Sequence, residues 1–181
     1  MVVVVATILV LLNIRPVLNF ISANQIMNTS FDPFHLVGSY GAFGAITKQR
    51  YEIIIEGTDD EIITDSTRWK EYEFFGKPGR VDQMSAQIAP YHLRLDWLMW
   101  FAAFSPTAHD AWFLNLIQKI LEGDKQILSL IKDNPFKNTP PKYIRAQRYL
   151  YQFTSSVEHR QTGTWWKREL TGAYLPAVSL D

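Results

Sequence analysis

The chain has 181 residues, 47% hydrophobic and 14% aromatic, enough for about one domain with a sizeable core, which argues against disorder. Eighteen Lys plus Arg balance eighteen Asp plus Glu without a long run of one sign, so nucleic acid and anionic lipid have no general electrostatic reason to bind. Without cysteine there is no disulfide, thiolate metal site or thiol nucleophile.

Met1 to Leu12 is an unbroken apolar run. At ~1.5 Å per residue it spans about 18 Å, short of the ~30 Å hydrocarbon core of a bilayer. Continuing to Ile21 supplies the length but admits Asn13, Arg15, Pro16 and Asn19. Three readings are open. One is a secretory signal, although no basic region precedes the run. Another is a buried strand, which Val2 to Val5 permit. The third, which the sequence favours, is the end of a membrane span that begins upstream, with Arg15 and the asparagines reaching the interface. Residues 22–35 are polar, end in Asp32-Pro33 and read as a connector; Asn28-Thr29-Ser30 is a formal N-glycosylation acceptor.

Glycines at 38, 41 and 44 then surround Tyr40 and Phe43. In Arg50 to Glu56, Tyr51, Ile53 and Ile55 share one strand face and Glu52 and Glu56 the other. Trp69 to Phe75 repeats the pattern up to the turn Gly76-Lys77-Pro78-Gly79, which makes the two segments sheet neighbours. A helical stretch follows. Asp96 suits the N-cap of Trp97 to Phe104, and Trp112, Phe113, Leu116, Ile117, Ile120 and Leu121 recur at helical spacing. Gly123 closes that helix, and Asp124 opens another with Ile127, Leu128, Leu130 and Ile131. Lys142 to Phe153 reads as the longest strand, with Trp165 to Glu169 as its partner after a turn at Gly163. Strands, a helical insertion at about 96–133 and further strands predict an α+β domain built on an antiparallel, sandwich-like sheet.

A search for catalytic chemistry returns little. Histidines 35, 92, 109 and 159 lack metal-site spacing, and Gly38-Ser39-Tyr40-Gly41 is no nucleophile elbow. Asp32, His35 and Ser39 are triad residue types without triad geometry, and Asp59-Asp60-Glu61 lacks the spacing of a calcium loop. The sequence thus predicts no catalytic residue, metal or cofactor. Arg94 and Asp96 have two readings: a local ion pair with a helix cap, or a recognition surface together with Trp97 and Trp100, since Trp and Arg dominate interface hot spots. Trp165 and Trp166 invite the same pair of readings; on opposite strand faces, one belongs to the core and one is half exposed.

Several motifs together resemble the lipase maturation factor family. They are Tyr-Gly-x-Phe-Gly at 40–44, Ile-Glu-Gly at 55–57, Lys-Pro-Gly at 77–79 and Ala-Pro-Tyr-x-x-Arg-Leu-Asp-Trp at 89–97, continued by Met99 to Ala103, Asn134-Pro135-Phe136, Pro140 to Ala146 and Trp165-Trp166. The resemblance covers residues 36–181. It implies a non-enzymatic folding and assembly factor of the endoplasmic reticulum membrane, with 1–21 ending a span and 36–181 in the lumen; outside eukaryotes, it implies a membrane-anchored domain outside the cytoplasm. It also implies that the chain is a fragment, and that its partner is a secreted client such as a homodimeric lipase. Tyr40, Arg94, Asp96, Trp97, Trp100, Trp165 and Trp166 are then the expected partner surface. Two rival readings remain. The Ile-Glu-Gly segment, acidic turn, Trp69 and Pro-Pro-Lys-Tyr-Ile-Arg strand are also similar to discoidin-like jelly-roll modules that bind sugars or lipid headgroups. Alternatively, the chain is the non-catalytic part of a membrane enzyme.

Overall fold

The computed structural model describes residues 2–41, 49–86, 91 and 93–180. Phe43, Gly44, Ala89, Pro90 and His92 of the motifs above lie outside the described residues. The chain divides into two compact units, Met1–Lys48 and Gln49–Asp181.

In the first unit, α1 (Val2–Ile21) is one continuous 20-residue helix with no buried residue and a mean hydropathy of 2.1. At ~1.5 Å per residue this is about 30 Å, so it is long and apolar enough to cross a membrane. Its polar residues do not break it, because their side chains bond to nearby carbonyls. Thr7 Oγ1 donates to Val3 O at 2.9 Å and Asn13 Nδ2 to Leu9 O at 2.8 Å. Asn19, in the last turn, exchanges two hydrogen bonds with the Ile26 backbone. Pro16 removes one backbone donor without ending the helix. Val2 to Val5 are therefore helical and form no strand: so long an apolar run outweighs the local β preference of valine.

A small antiparallel ribbon follows, β1 (Thr29–Ser30) with β2 (Gly38–Ser39). Asp32 organises the loop between them by accepting the amides of Val37 (2.8 Å), Phe34 (2.9 Å) and Leu36 (3.2 Å). The Val37 amide foremost holds its carboxyl below the usual carboxylate range.

The second unit is built on a four-stranded antiparallel sheet in the order β4–β3–β5–β6: β3 (Arg50–Thr58), β4 (Lys70–Glu71), β5 (Tyr143–Phe153) and β6 (Trp166–Val178). β3 pairs with β5 from Arg50↔Tyr151 to Thr58↔Tyr143. The longest strand is β6, at 13 residues, rather than the segment before it. Its charges, Gly172 and Pro176 disguise it, yet all are tolerated at a sheet edge. Between β4 and β5 come α2 (Arg94–Ala102), α3 (Ala111–Leu121) and the single turn α4 (Lys125–Leu128), whose N-cap Asp124 accepts the amides of Gln126 and Ile127.

The two sheet faces differ. Ile53, Ile55, Ile144 and Ala146 face the helices and share a core with Met99 and Ala102 of α2 and with Phe113, Leu116, Ile117, Ile120 and Leu121 of α3. Full burial of each large apolar side chain contributes about 1.5–3 kcal/mol before entropy. The other face carries a smaller cluster of Ile54, Tyr151 and Trp166, with Val81 and Tyr149 against it. The layer on the Ile53 face is helical, so the unit is α+β as the sequence predicts, and its described strands form one open antiparallel sheet. The apolar stripes of α2 and α3 cover that face of the sheet.

Between β5 and β6, where the sequence predicts only a turn at Gly163, stands a further helix, α5 (Ser156–Thr162). It is closed by a capping box of Ser155 and Glu158 and by Gly163 at φ 71°, a left-handed conformation that favours glycine. Lys167, and then the amide and hydroxyl of Ser155, hold Glu158 at about 2 instead of 4.5. A lowered folded-state pKa contributes stability above about 4.5 that is lost as the pH falls through about 2. An NMR titration of the Glu158 carboxyl is expected to give a midpoint near 2, with Lys167→Ala moving it back toward 4.5.

Candidate functional site

α2 starts at Arg94 from an extended Leu93, two residues before the expected N-cap, which places Asp96 in its first turn rather than at its cap. There Asp96 is 6% exposed, and its Oδ1 accepts the amides of Gly76 (2.6 Å) and Lys77 (3.1 Å). It fastens the helix to the turn after β4 and makes no ion pair with Arg94, which is exposed. The physical reason is hydration: a carboxylate leaves water only where backbone donors replace it, and the turn supplies two.

Asp96, Met99 and Ala102 are buried, while Trp97, Trp100, Phe101 and Phe104 recur on the opposite side at spacings of three and four. Trp97 and Trp100 are half-buried with ring centroids 5.0 Å apart; Phe101 lies 5.3 Å from Trp97 and 5.2 Å from Trp100; Phe104 lies 5.2 Å from Trp100. Phe101 and Phe104 are each 46% exposed. Arg94 lies one turn ahead of Trp97 on the same side. The result is an aromatic surface on α2 and the turn that follows it, of the kind that buries apolar partner side chains. Sequence reasoning named Trp97 and Trp100 but missed Phe101 and Phe104, although the 97–100–101–104 spacing carries the signal.

The remaining expected residues differ in exposure. Trp165 is partly exposed and lies against the His159 ring at 4.1 Å. Trp166 is buried, stacked 4.0 Å from Phe153, and its Nε1 donates to Gln83 O at 3.1 Å; it packs inside the sheet's second face and forms no surface. Tyr40, in the first unit, is 87% exposed. Asn28 is exposed, with its Oδ1 accepting the Gly41 amide at 3.2 Å.

The motifs of the carboxy-terminal unit interlock. A Cβ on Gly57 would lie 2.7 Å from the Phe136 ring, so the Ile-Glu-Gly segment makes room for the Asn-Pro-Phe segment. Glu56 pairs with Arg145 at 2.6 Å, and Tyr151 donates to the carbonyl of Gly79 at 2.7 Å. Glu52 has no exposed side-chain surface. It meets Arg50 Nε at 2.8 Å and Lys77 Nζ at 3.4 Å. The second contact is an attraction of charges rather than a hydrogen bond: Glu52 Oε2 has no hydrogen-bond partner, and Lys77 Nζ donates to Pro78 O at 2.9 Å. These motifs hold the turn that holds α2.

The groups weighed for catalysis or calcium have structural partners where they are described. The Asp32 carboxylate accepts backbone amides and Ser39 donates to Ile26 O, so neither side chain hydrogen-bonds to the His35 ring. Asp59 pairs with Lys70, and Glu61 with Lys142. Among the described residues, no group of three or more His, Asp or Glu side chains is placed to hold a metal ion.

Comparison with known proteins agrees with the motif reading. The profile of the lipase maturation factor C-terminal domain matches residues 36–176. Lipase maturation factor 1 of Homo sapiens is 44% identical over 173 residues, covering 94% of this chain and 30% of that protein. The Bos taurus protein of the same name is 44% identical over 171 residues, covering 93% of this chain and 30% of that protein. Lipase maturation factor 2 of Xenopus laevis is 39% identical over 168 residues, covering 87% and 22% respectively. The chain thus spans less than a third of the length of these relatives. No solved structure matches it.

Proposed function

The chain belongs to the lipase maturation factor family, and on that premise we propose that it acts as a non-enzymatic maturation factor that holds secreted client proteins, homodimeric lipases among them, during folding and assembly. In this reading α1 lies in the endoplasmic reticulum membrane, residues 36–181 lie in the lumen, and Asn28 is available to glycosylation. The observation that carries the proposal is the aromatic stripe of partly buried Trp97 and Trp100 with exposed Phe101 and Phe104, fixed from behind by buried Asp96. Such a surface suits apolar side chains that a client has not yet buried. The headgroup-binding alternative draws less support. The arginines beside aromatic rings on the sheet's second face are already paired, Arg145 with Glu56 and Arg168 with Glu71.

Co-expression with a secreted homodimeric lipase, in cells lacking their own maturation factor, tests the reading. Trp97→Ala with Trp100→Ala is expected to weaken client capture about tenfold or more, as loss of interface anchors does. Secreted lipase activity should drop with it, while the thermal unfolding of the carboxy-terminal unit changes little. Unchanged capture and secretion in the folded variant would count decisively against this surface.

A further inference from the structure

We propose that the open edge of β6 between Lys167 and Ala173 takes up an extended, unfolded polypeptide segment by adding it to the sheet as a fifth strand. The inference rests on the maturation-factor reading for its occupant and goes beyond it in naming a second mode of capture, addressed to backbone rather than to apolar side chains.

β6 is the outermost strand, so alternate peptide groups along it point away from β5. The chain closes this edge at both ends. Trp166 N donates to Val81 O at 3.1 Å, and Tyr174 O accepts from Ala108 N at 3.0 Å. In between, no described backbone group outside β5 bonds to the backbone of residues 167–173. Lys167, Glu169, Leu170, Thr171, Gly172 and Ala173 are exposed, Leu170 by 54%. Seven residues at ~3.3 Å give a gap of about 23 Å, the length of an ordinary strand.

The chemistry of the gap selects its occupant. Donors and acceptors spaced along an edge are complemented by another extended backbone and by little else. Of the three charges that could guard this edge, two are drawn off here, while Glu169 stays exposed. Lys167 pairs with Glu158, and Arg168 makes a two-armed pair with Glu71. A second copy of the chain fits less well than an unfolded client. The pairing with β5 is irregular opposite Arg148 and Tyr149, where Thr171 is the extra residue between Leu170 and Gly172. Such a bulge twists the strand, so two rigid edges that both carry it lose register, whereas a flexible chain follows the twist.

Hydrogen exchange of the full chain in phosphatidylcholine nanodiscs tests this, with reduced, carboxymethylated α-lactalbumin as a permanently unfolded probe. Binding of the probe is expected to slow exchange at the amides of Arg168 and Leu170 at least about tenfold. Leu170→Pro, which removes an outward donor, is expected to abolish that slowing while the β5 amides stay protected. If the variant also loses β5 protection, the unmutated chain decides alone. Capture of the probe with unchanged exchange at 168 and 170 overturns strand addition and leaves the maturation reading standing. Failure to capture the probe at all sinks both. Slowing that grows with chain concentration in the absence of probe assigns the edge to a second copy and overturns the proposal.

Discussion

Lys77→Met is expected to destabilise the carboxy-terminal unit by about 3 kcal/mol, near the lower end for breaking a buried ion pair because Arg50 still faces Glu52. The Lys77 side chain is 3% exposed and Glu52 is fully enclosed, so removing the ammonium leaves a carboxylate with one partly solvated partner. Lys77 Nζ also donates to the carbonyl of Pro78, which stiffens the turn that Asp96 grips from the other side. Glu52→Gln alone is expected to cost a similar amount by stranding the lysine. Combining the two changes should recover at least about 1 kcal/mol relative to their sum, because the double variant buries no unmatched charge. Urea unfolding followed by tryptophan fluorescence measures all three. Strict additivity of the two costs would mean that the 3.4 Å contact couples nothing.

This pair also shows why the sequence revealed the fold better than the site. Period-two alternation located β3 and β5, and apolar stripes located α2 and α3, because each of these elements buries a face and composition records burial. The same alternation assigned Glu52 and Glu56 to a polar face, yet both are buried. The loop after β4 covers that face, and partners at 50, 77 and 145 neutralise them. Partners that arrive from distant turns leave no periodic mark. Asp96 misled for a related reason: a short carboxylate before an apolar run reads as an N-cap, and only the tertiary placement of Gly76 and Lys77 moves its hydrogen bonds elsewhere. The opposite error occurred at α5, where Ser155 and Glu158 spell a capping box that a local reading could have found. Phe101 and Phe104 are equally legible, being one and two turns beyond Trp97 at helical spacing, although α2 ends at Ala102 and Phe104 lies in the turn after it. What the sequence could not supply was which side of that helix faces the sheet. Met99 and Ala102 decide it, and they are no more apolar than the aromatic side that stays half exposed.

Asp96→Ala is the change expected to connect stability with function. The carboxylate accepts two amides in a largely dry setting, and hydrogen bonds to charged groups contribute about 1.5–3 kcal/mol each before partial rehydration. Its removal leaves the Lys77 amide buried without an acceptor, so a loss of about 2–4 kcal/mol is expected. Asp96→Asn keeps an acceptor oxygen in the same place and should cost about 1 kcal/mol, since neutral acceptors bind amides roughly half as strongly. Because the same contact fixes the orientation of α2, the alanine variant is also expected to shift the emission of Trp97 and Trp100 to longer wavelength under conditions where the sheet remains folded. Client capture should weaken in parallel, and the asparagine variant should retain most of it. If the alanine variant unfolds at the wild-type urea concentration and captures client normally, the turn at Gly76 and Lys77 is held by other contacts. The aromatic stripe would then owe its orientation to the packing of Met99 and Ala102 alone.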